Sequence, residues 1–244
     1  MTGRLPAILA VLAAMSLIAS IASPAQAAPE RVWMFNNLAR IGGVTPRVEG
    51  HPRLVAGPAG KAVRFNGKDD ALFFADRPLV GPRTFTIEAI FHPEGGAFQQ
   101  RFMHIAQTDP KTGQDANPDG TNDPNPRFMF EIRVVGSQWY LDAFVDSAAG
   151  SKTLAFPHKL HPIGPWYAVA QTYDGATYRT YVDGVLQGEA AVGFAPHGPG
   201  HMMVGVRMNH VNWFKGAIAE ARFTPRALTA GELLTVPRLL SAPR

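Results

Sequence analysis

Trp166-Tyr167-Ala168-Val169-Ala170-Gln171-Thr172-Tyr173-Asp174-Gly175, followed by a second run from Tyr178 into Asp183-Gly184, decides the fold class. Each run is short and rich in aromatic and β-branched residues, and each closes on Asp-Gly, a dipeptide that accepts the left-handed backbone of tight turns. Working outward, the same period of two recurs. Thr84 to Phe91 places Phe85, Ile87 and Ala89 on one face and Thr84, Thr86 and Glu88 on the other. Phe128, Phe130, Ile132 and Val134 alternate with Met129, Glu131 and Arg133, and Trp139, Leu141, Ala143 and Val145 with Tyr140, Asp142 and Phe144. His201 to Arg207 is a further β-type run, and Asn66-Gly67 and Pro199-Gly200 add turns. Many short, alternating strands with such punctuation imply an all-β sandwich or barrel. With 24 Gly and 21 Pro, no long amphipathic helix fits. Thr229-Ala230-Gly231-Glu232 reads as a capping box opening one short C-terminal helix that Pro237 stops.

The N-terminus carries Arg4, an apolar stretch from Leu5 to Ile21, and Ala25-Gln26-Ala27 after Pro24. That order of charge, apolar run and small residues is a signal peptide cleaved after Ala27. The apolar run, about 17 residues, sits at the lower limit for a membrane span. No later segment is long and apolar enough to cross. Residues 28–244 then form one expected domain, without linker or repeat, acting as a monomer in the periplasm or the medium. Cysteine is absent, which excludes disulfide staples, thiolate metal sites and a cysteine nucleophile. The net charge is +4, and removing Arg4 leaves about +3. The Lys and Arg are scattered, whereas nucleic-acid binding wants a clustered basic face, so no nucleic-acid partner is expected.

Four stretches carry a family resemblance. Gly60-Lys61-Ala62-Val63-Arg64-Phe65-Asn66-Gly67 with Asp69-Asp70 resembles the opening of bacterial laminin-G-like, concanavalin A-like domains. Phe85 to Pro93 is similar to their next strand, Trp166 to Gly184 to their central hairpin pair, and Phe214 to Glu220 with Arg226-Ala227-Leu228 to their close. The resemblance implies an antiparallel two-sheet jelly-roll β-sandwich. It also implies carbohydrate recognition, with a structural calcium at the early acidic turn in some members. Here Ala219 stands where the closing motif commonly has an acid, so Asp69 and Asp70 lack that partner.

Asp115, Asn117, Asp119 and Asp123 around Gly120 space oxygen ligands at alternate positions, as in the first half of an EF-hand loop. Calcium needs several hard oxygens converging, and this spacing supplies them, although the twelfth position is Pro126 rather than Glu. The same residues also suit an ordinary turn. For sugar, Arg207, Asn209, His210, Asn212 and Trp213 gather hydroxyl-binding groups and a ring in one loop. Tyr140, Glu131, Arg133 and Asp142 can share an outward sheet face, where Glu131 and Arg133 also suit a plain ion pair. The laminarinase string E-x-D-x-x-E is missing, while Arg133, Tyr140, His104 and Gln107 are residue types that jelly-roll lyases use. The eight His show neither H-E-x-x-H nor H-x-H spacing, which disfavours zinc.

The resulting expectation is an exported, non-catalytic domain binding a polysaccharide or cell-surface glycoconjugate. A lyase or glycoside hydrolase of the same fold is the alternative, and an adhesive envelope protein the third. If the signal reading holds, mass spectrometry of the exported protein finds Ala28 at the mature N-terminus. An intact Met1 or retained hydrophobic stretch would sink it.

Overall fold

The computed structural model describes residues 29–109, 111 and 126–237. Among them run β1 (Arg31–Met34), β2 (Arg47–Glu49), β3 (Arg53–Gly57), β4 (Gly60–Asn66) and β5 (Ala71–Phe74). Next come β6 (Phe85–Pro93), β7 (Gln99–Gln107), β8 (Arg127–Val135), β9 (Gln138–Ser147), β10 (Gly150–Ala155) and β11 (His161–Pro162). β12 (Tyr167–Tyr173), β13 (Thr177–Val182), β14 (Val185–Ala191), β15 (Gly200–Val204) and β16 (Lys215–Thr224) follow. They pair antiparallel into two eight-stranded sheets. The first has the order β14-β13-β12-β6-β16-β4-β3, with β1 also on β16. The second has the order β10-β9-β8-β7-β15-β5-β2, with β11 on β9. The expected antiparallel sandwich is what forms, and no described helix is long and apolar enough to cross a membrane.

Alternation sorts the side chains as the sequence implies. Phe85, Ile87, Ala89 and Phe91 of the first sheet meet Phe128, Phe130, Ile132, Trp139, Leu141, Ala143 and Val145 of the second, each at most 3% exposed. Burying each large side chain contributes about 1.5–3 kcal/mol. The rings of Phe91, Phe102 and Phe130 stack in a column from sheet to sheet, with centroids 4.7 and 5.3 Å apart and planes 6° and 7° from parallel. Val134, assigned to the same inward face, is only half-buried near the end of β8.

The outer face of β6 departs from a solvated face: Thr86 and Glu88 are fully buried and Ile90 is 2% exposed. The chain after β16 crosses this face as a strap. Thr86 donates its hydroxyl to the Arg226 carbonyl (2.9 Å) and accepts the Leu228 amide (2.9 Å). Glu88 accepts two bonds from Arg222 (2.5 and 3.0 Å) and the Leu234 amide (2.6 Å). Leu228 and Leu233 pack on Ala170 and Tyr181 beneath. The anticipated helix is a single 3-10 turn, Ala230–Glu232, whose Glu232 carboxylate accepts the Thr229 amide (2.8 Å) and hydroxyl (2.9 Å). The turn stops well before Pro237 because Leu233 is extended (φ −69°, ψ 154°), bringing the next amide to Glu88.

Removing a carboxylate that pairs a largely buried guanidinium leaves that charge uncompensated, at a cost of about 3–5 kcal/mol. Glu88→Ala is therefore expected to lower the urea-unfolding free energy by that amount. A loss below about 1 kcal/mol would show that the strap does not depend on this carboxylate.

Candidate functional site

The outer face of the second sheet gathers most of the sugar-binding candidates. Because Phe128, Phe130 and Ile132 point inward, Met129, Glu131 and Arg133 point out; on β9, Tyr140, Asp142 and Phe144 do the same. Register places Glu131 opposite Asp142 and Arg133 opposite Tyr140. On β7 the register shifts between Arg101 and Met103, so Phe102 and Met103 both stay in the core while Arg101 is turned outward, opposite Glu131. Glu131 thereby accepts Arg101 Nε at 3.0 Å and lies 3.0 Å from Arg133 Nη1. Arg133 also holds Asp142 at 2.6 Å.

The four charges share little water. Burial, reinforced by Glu131, pushes the Asp142 carboxyl up to about 6 against the pull of Arg133 and Arg101. Burial also lowers Arg101 despite Glu131, with Arg133 and Arg207 adding repulsion. His104, fully buried on the same face, is held well below the usual imidazole range by burial and then by Arg127, Arg207, Arg101 and Arg77. It stays neutral, and its Nδ1 accepts the Met208 amide at 3.0 Å.

That bond and the Arg101 amide on the Asn212 carbonyl (2.9 Å) tie the 207–213 loop onto the face. The His210 amide closes the loop on the Arg207 carbonyl (2.8 Å), and His210 and Asn212 adopt left-handed backbone (φ 59° and 61°). Trp213, half-buried, rests on Ala71, Ala106, Met203, Val206 and Met208. The structure thus lays the loop of Arg207, Asn209, Asn212 and Trp213 on the same outer face as Arg133, Glu131 and Tyr140, with Arg101 between the loop and Glu131, although the two stretches are far apart in sequence. His210 turns aside, with Nε2 2.8 Å from Glu49. Glu131 and Tyr140, at 2% and 8% exposure, are nearly closed to solvent, leaving Arg133 as the accessible member of that trio.

Sequence reasoning missed Arg101, because a bulge is invisible to a strict period of two. It also missed Phe98, 53% exposed, with the Arg133 guanidinium 5.9 Å from its ring centroid. An aromatic directly after Gly95-Gly96-Ala97, at a strand entrance, was the available signal. Arg127, 2.8 Å from Asp146 and 4.8 Å from the Phe144 ring centroid, extends the face toward the start of β8.

The calcium candidates Asp115, Asn117, Asp119 and Asp123 lie outside the described residues. At the early acidic turn, Asp70 spends one oxygen on the His51 amide (2.7 Å) and the other on the Asn66 amide (3.0 Å). Ala219 is packed with Ala62 and Ile90 in an apolar cluster. Asp69 accepts the Asn66 side-chain amide at 2.7 Å. The protein's own donors therefore occupy the turn, a poor fit to a cation. Among the described residues no group of three or more His, Cys, Asp or Glu could share a metal ion.

Residues 66–234 match the concanavalin A-like lectin/glucanases superfamily, and the chain belongs to it. No curated protein matches the chain. Among solved structures, it resembles domain 4 of the extracellular GH43 arabinanase AbnA from Geobacillus stearothermophilus, in complex with arabinotriose. The identity is 19%, the coverage 83% of this chain and 94% of that one, and the TM-score 0.57. The receptor-binding domain of botulinum neurotoxin D matches at 10% identity and TM-score 0.55, covering 83% of this chain and 50% of that one. A K499G variant of the NanB sialidase of Streptococcus pneumoniae matches at 16% identity and TM-score 0.53, covering 80% of this chain and 28% of that one. These likenesses establish the shared fold.

The Asp142 carboxyl binds its proton more tightly folded than unfolded, since its ordinary value of 3.8 rises to about 6. Between about pH 4 and 6 the native state holds the extra proton, so this group's contribution to stability falls as pH rises and is flat above. Asp142→Asn should remove a decline of about 2–3 kcal/mol over that window, read from urea midpoints. A variant with the wild-type slope would assign the pH dependence elsewhere.

Proposed function

We propose that the chain is an exported, non-catalytic carbohydrate-binding domain whose ligand face is the outer face of the second sheet. The observation that carries this reading is the exposed Phe98 ring beside Arg133, on the face where the 207–213 loop lays Trp213. Sugars stack their apolar faces on such rings and give their hydroxyls to neighbouring polar groups. Arg133, Arg207, Asn209 and Asn212 supply those groups. Membership of a lectin and glucanase superfamily, and the arabinotriose held by one structural neighbour, support the ligand class. In the same reading, Asp115, Asn117, Asp119 and Asp123, which fall between β7 and β8 in the sequence, hold a calcium ion.

A second reading, a glycoside hydrolase or lyase, draws on Glu131 and Asp142. They stand opposite one another, and Asp142, held near 6, has the raised value of a general acid. Against it, both carboxylates are at most 4% exposed and both bind Arg133.

A panel of purified polysaccharides, offered to the mature protein in calcium and in EDTA, tests these readings together. The expected result is retention without new reducing ends or unsaturated products, weakened about tenfold by Phe98→Ala, as loss of one stacking contact implies. Released products would establish the enzyme. Retention indifferent to EDTA, with an unchanged melting temperature, would remove calcium, and failure to retain any member would remove the ligand face.

A further inference from the structure

The opposite side of the sandwich carries a cavity of about 390 Å³, lined by Trp166, Asp183, Thr235, Val236 and Pro237. Its walls come from three separate places: the residue entering β12, the turn between β13 and β14, and the end of the strap. The strap wall is fixed because Leu234, next to Thr235, donates its amide to the buried Glu88 carboxylate at 2.6 Å. Trp166 is half-buried, and one side of its indole is backed by the His92 imidazole, with centroids 5.2 Å apart and planes at 36°. The ring is therefore held in place while its remaining surface lines the cavity.

Asp183 is pre-set in the same way. Its backbone is left-handed (φ 48°), and Oδ1 accepts the Ala168 amide at 2.8 Å. The residue is exposed, and among the described residues its second oxygen has no hydrogen-bond donor. Thr235, also exposed, adds a hydroxyl. Among the described residues that line the cavity there is no cation. A fixed aromatic plate, a fixed carboxylate and a hydroxyl in a cavity of small-ligand size suit a ring with an apolar face and donor hydroxyls. Asp183 is the one charge among the described lining residues, and a carboxylate there repels an acidic sugar.

We propose that this cavity is a second saccharide site, for a neutral mono- to trisaccharide unit, with Trp166 as stacking plate and Asp183 as hydroxyl acceptor. It stands on the sheet opposite the ligand face and does not rest on that reading. A chain with both sites binds two glycan segments at once, on opposite sides of one domain.

Fluorine NMR of the mature protein labelled with 5-fluorotryptophan tests the site, since the chain has four tryptophans. Trp33 and Trp139 are fully buried and serve as internal references. Trp166→Phe identifies its resonance by removing it. Titration with cellotriose, galactotriose and arabinotriose is expected to move the Trp166 resonance saturably with at least one sugar. Asp183→Asn, which retains an oxygen for the Ala168 amide, is expected to weaken that response about tenfold, the effect of losing one charge-assisted hydrogen bond. A Trp213 shift with Trp166 unmoved would overturn this site and leave the ligand face standing. No shift at either residue would count against both. A Trp166 shift unaffected by Asp183→Asn, or produced more strongly by choline, would overturn the assignment, the latter by revealing a cation site instead.

Discussion

The column of Phe91, Phe102 and Phe130 is the contact on which the site depends. Phe91 on Phe102 joins the two sheets through the core, Phe130 stacks on Phe102 from the neighbouring strand, and the middle ring belongs to the irregular residue of β7. Keeping both Phe102 and Met103 inside forces the strand out of register, and the outcome of that slip is Arg101 on the outer face. The apolar packing thus sets the charge pattern behind it. Arg101 fixes Glu131 on one side through its side chain and the 207–213 loop on the other through its amide. A smaller core residue at 102 would perturb the proposed ligand face without touching it.

The two sheets treat their outer faces differently, and the difference is chemical. On the first sheet the polar residues Thr86 and Glu88 are used up by the strap, each bonding backbone that would otherwise lack a partner there. On the second, a chain of alternating charges runs from Arg101 through Glu131 and Arg133 to Asp142. There the pairs hold one another in place in a poorly hydrated setting, which keeps the long arginine side chains ordered. The ordered guanidiniums and the nearby rings are what the proposed ligand face presents.

Most of the fold was legible in the sequence because β-strands have one simple rule. Phe85, Ile87 and Ala89, or Trp139, Leu141 and Ala143, announce an inward face by alternation alone, and the Asp-Gly pairs mark the hairpins. Glu88 was not legible: its position on the polar face of β6 is correctly read, yet its burial comes from a segment about 140 residues later. The candidate site was half legible. Glu131, Arg133 and Tyr140 sit where period two puts them, whereas their sharing a face with Arg207 and Trp213 depends on β15 pairing with β7, which no local pattern encodes. Arg101 was hidden by the bulge and Phe98 by its place in a turn.

β16 occupies the middle of the first sheet, with β6 along one edge and β4 and β1 sharing the other. Arg31 to Met34 find their partners only at Glu220 to Phe223. A chain that emerges N-terminus first therefore carries a split sheet, one part around β6 and β12 and another around β3 and β4, until β16 appears. β16 thus acts as the keystone: strands far apart in sequence share a sheet only once it is in place between them, at a high cost in loop closure.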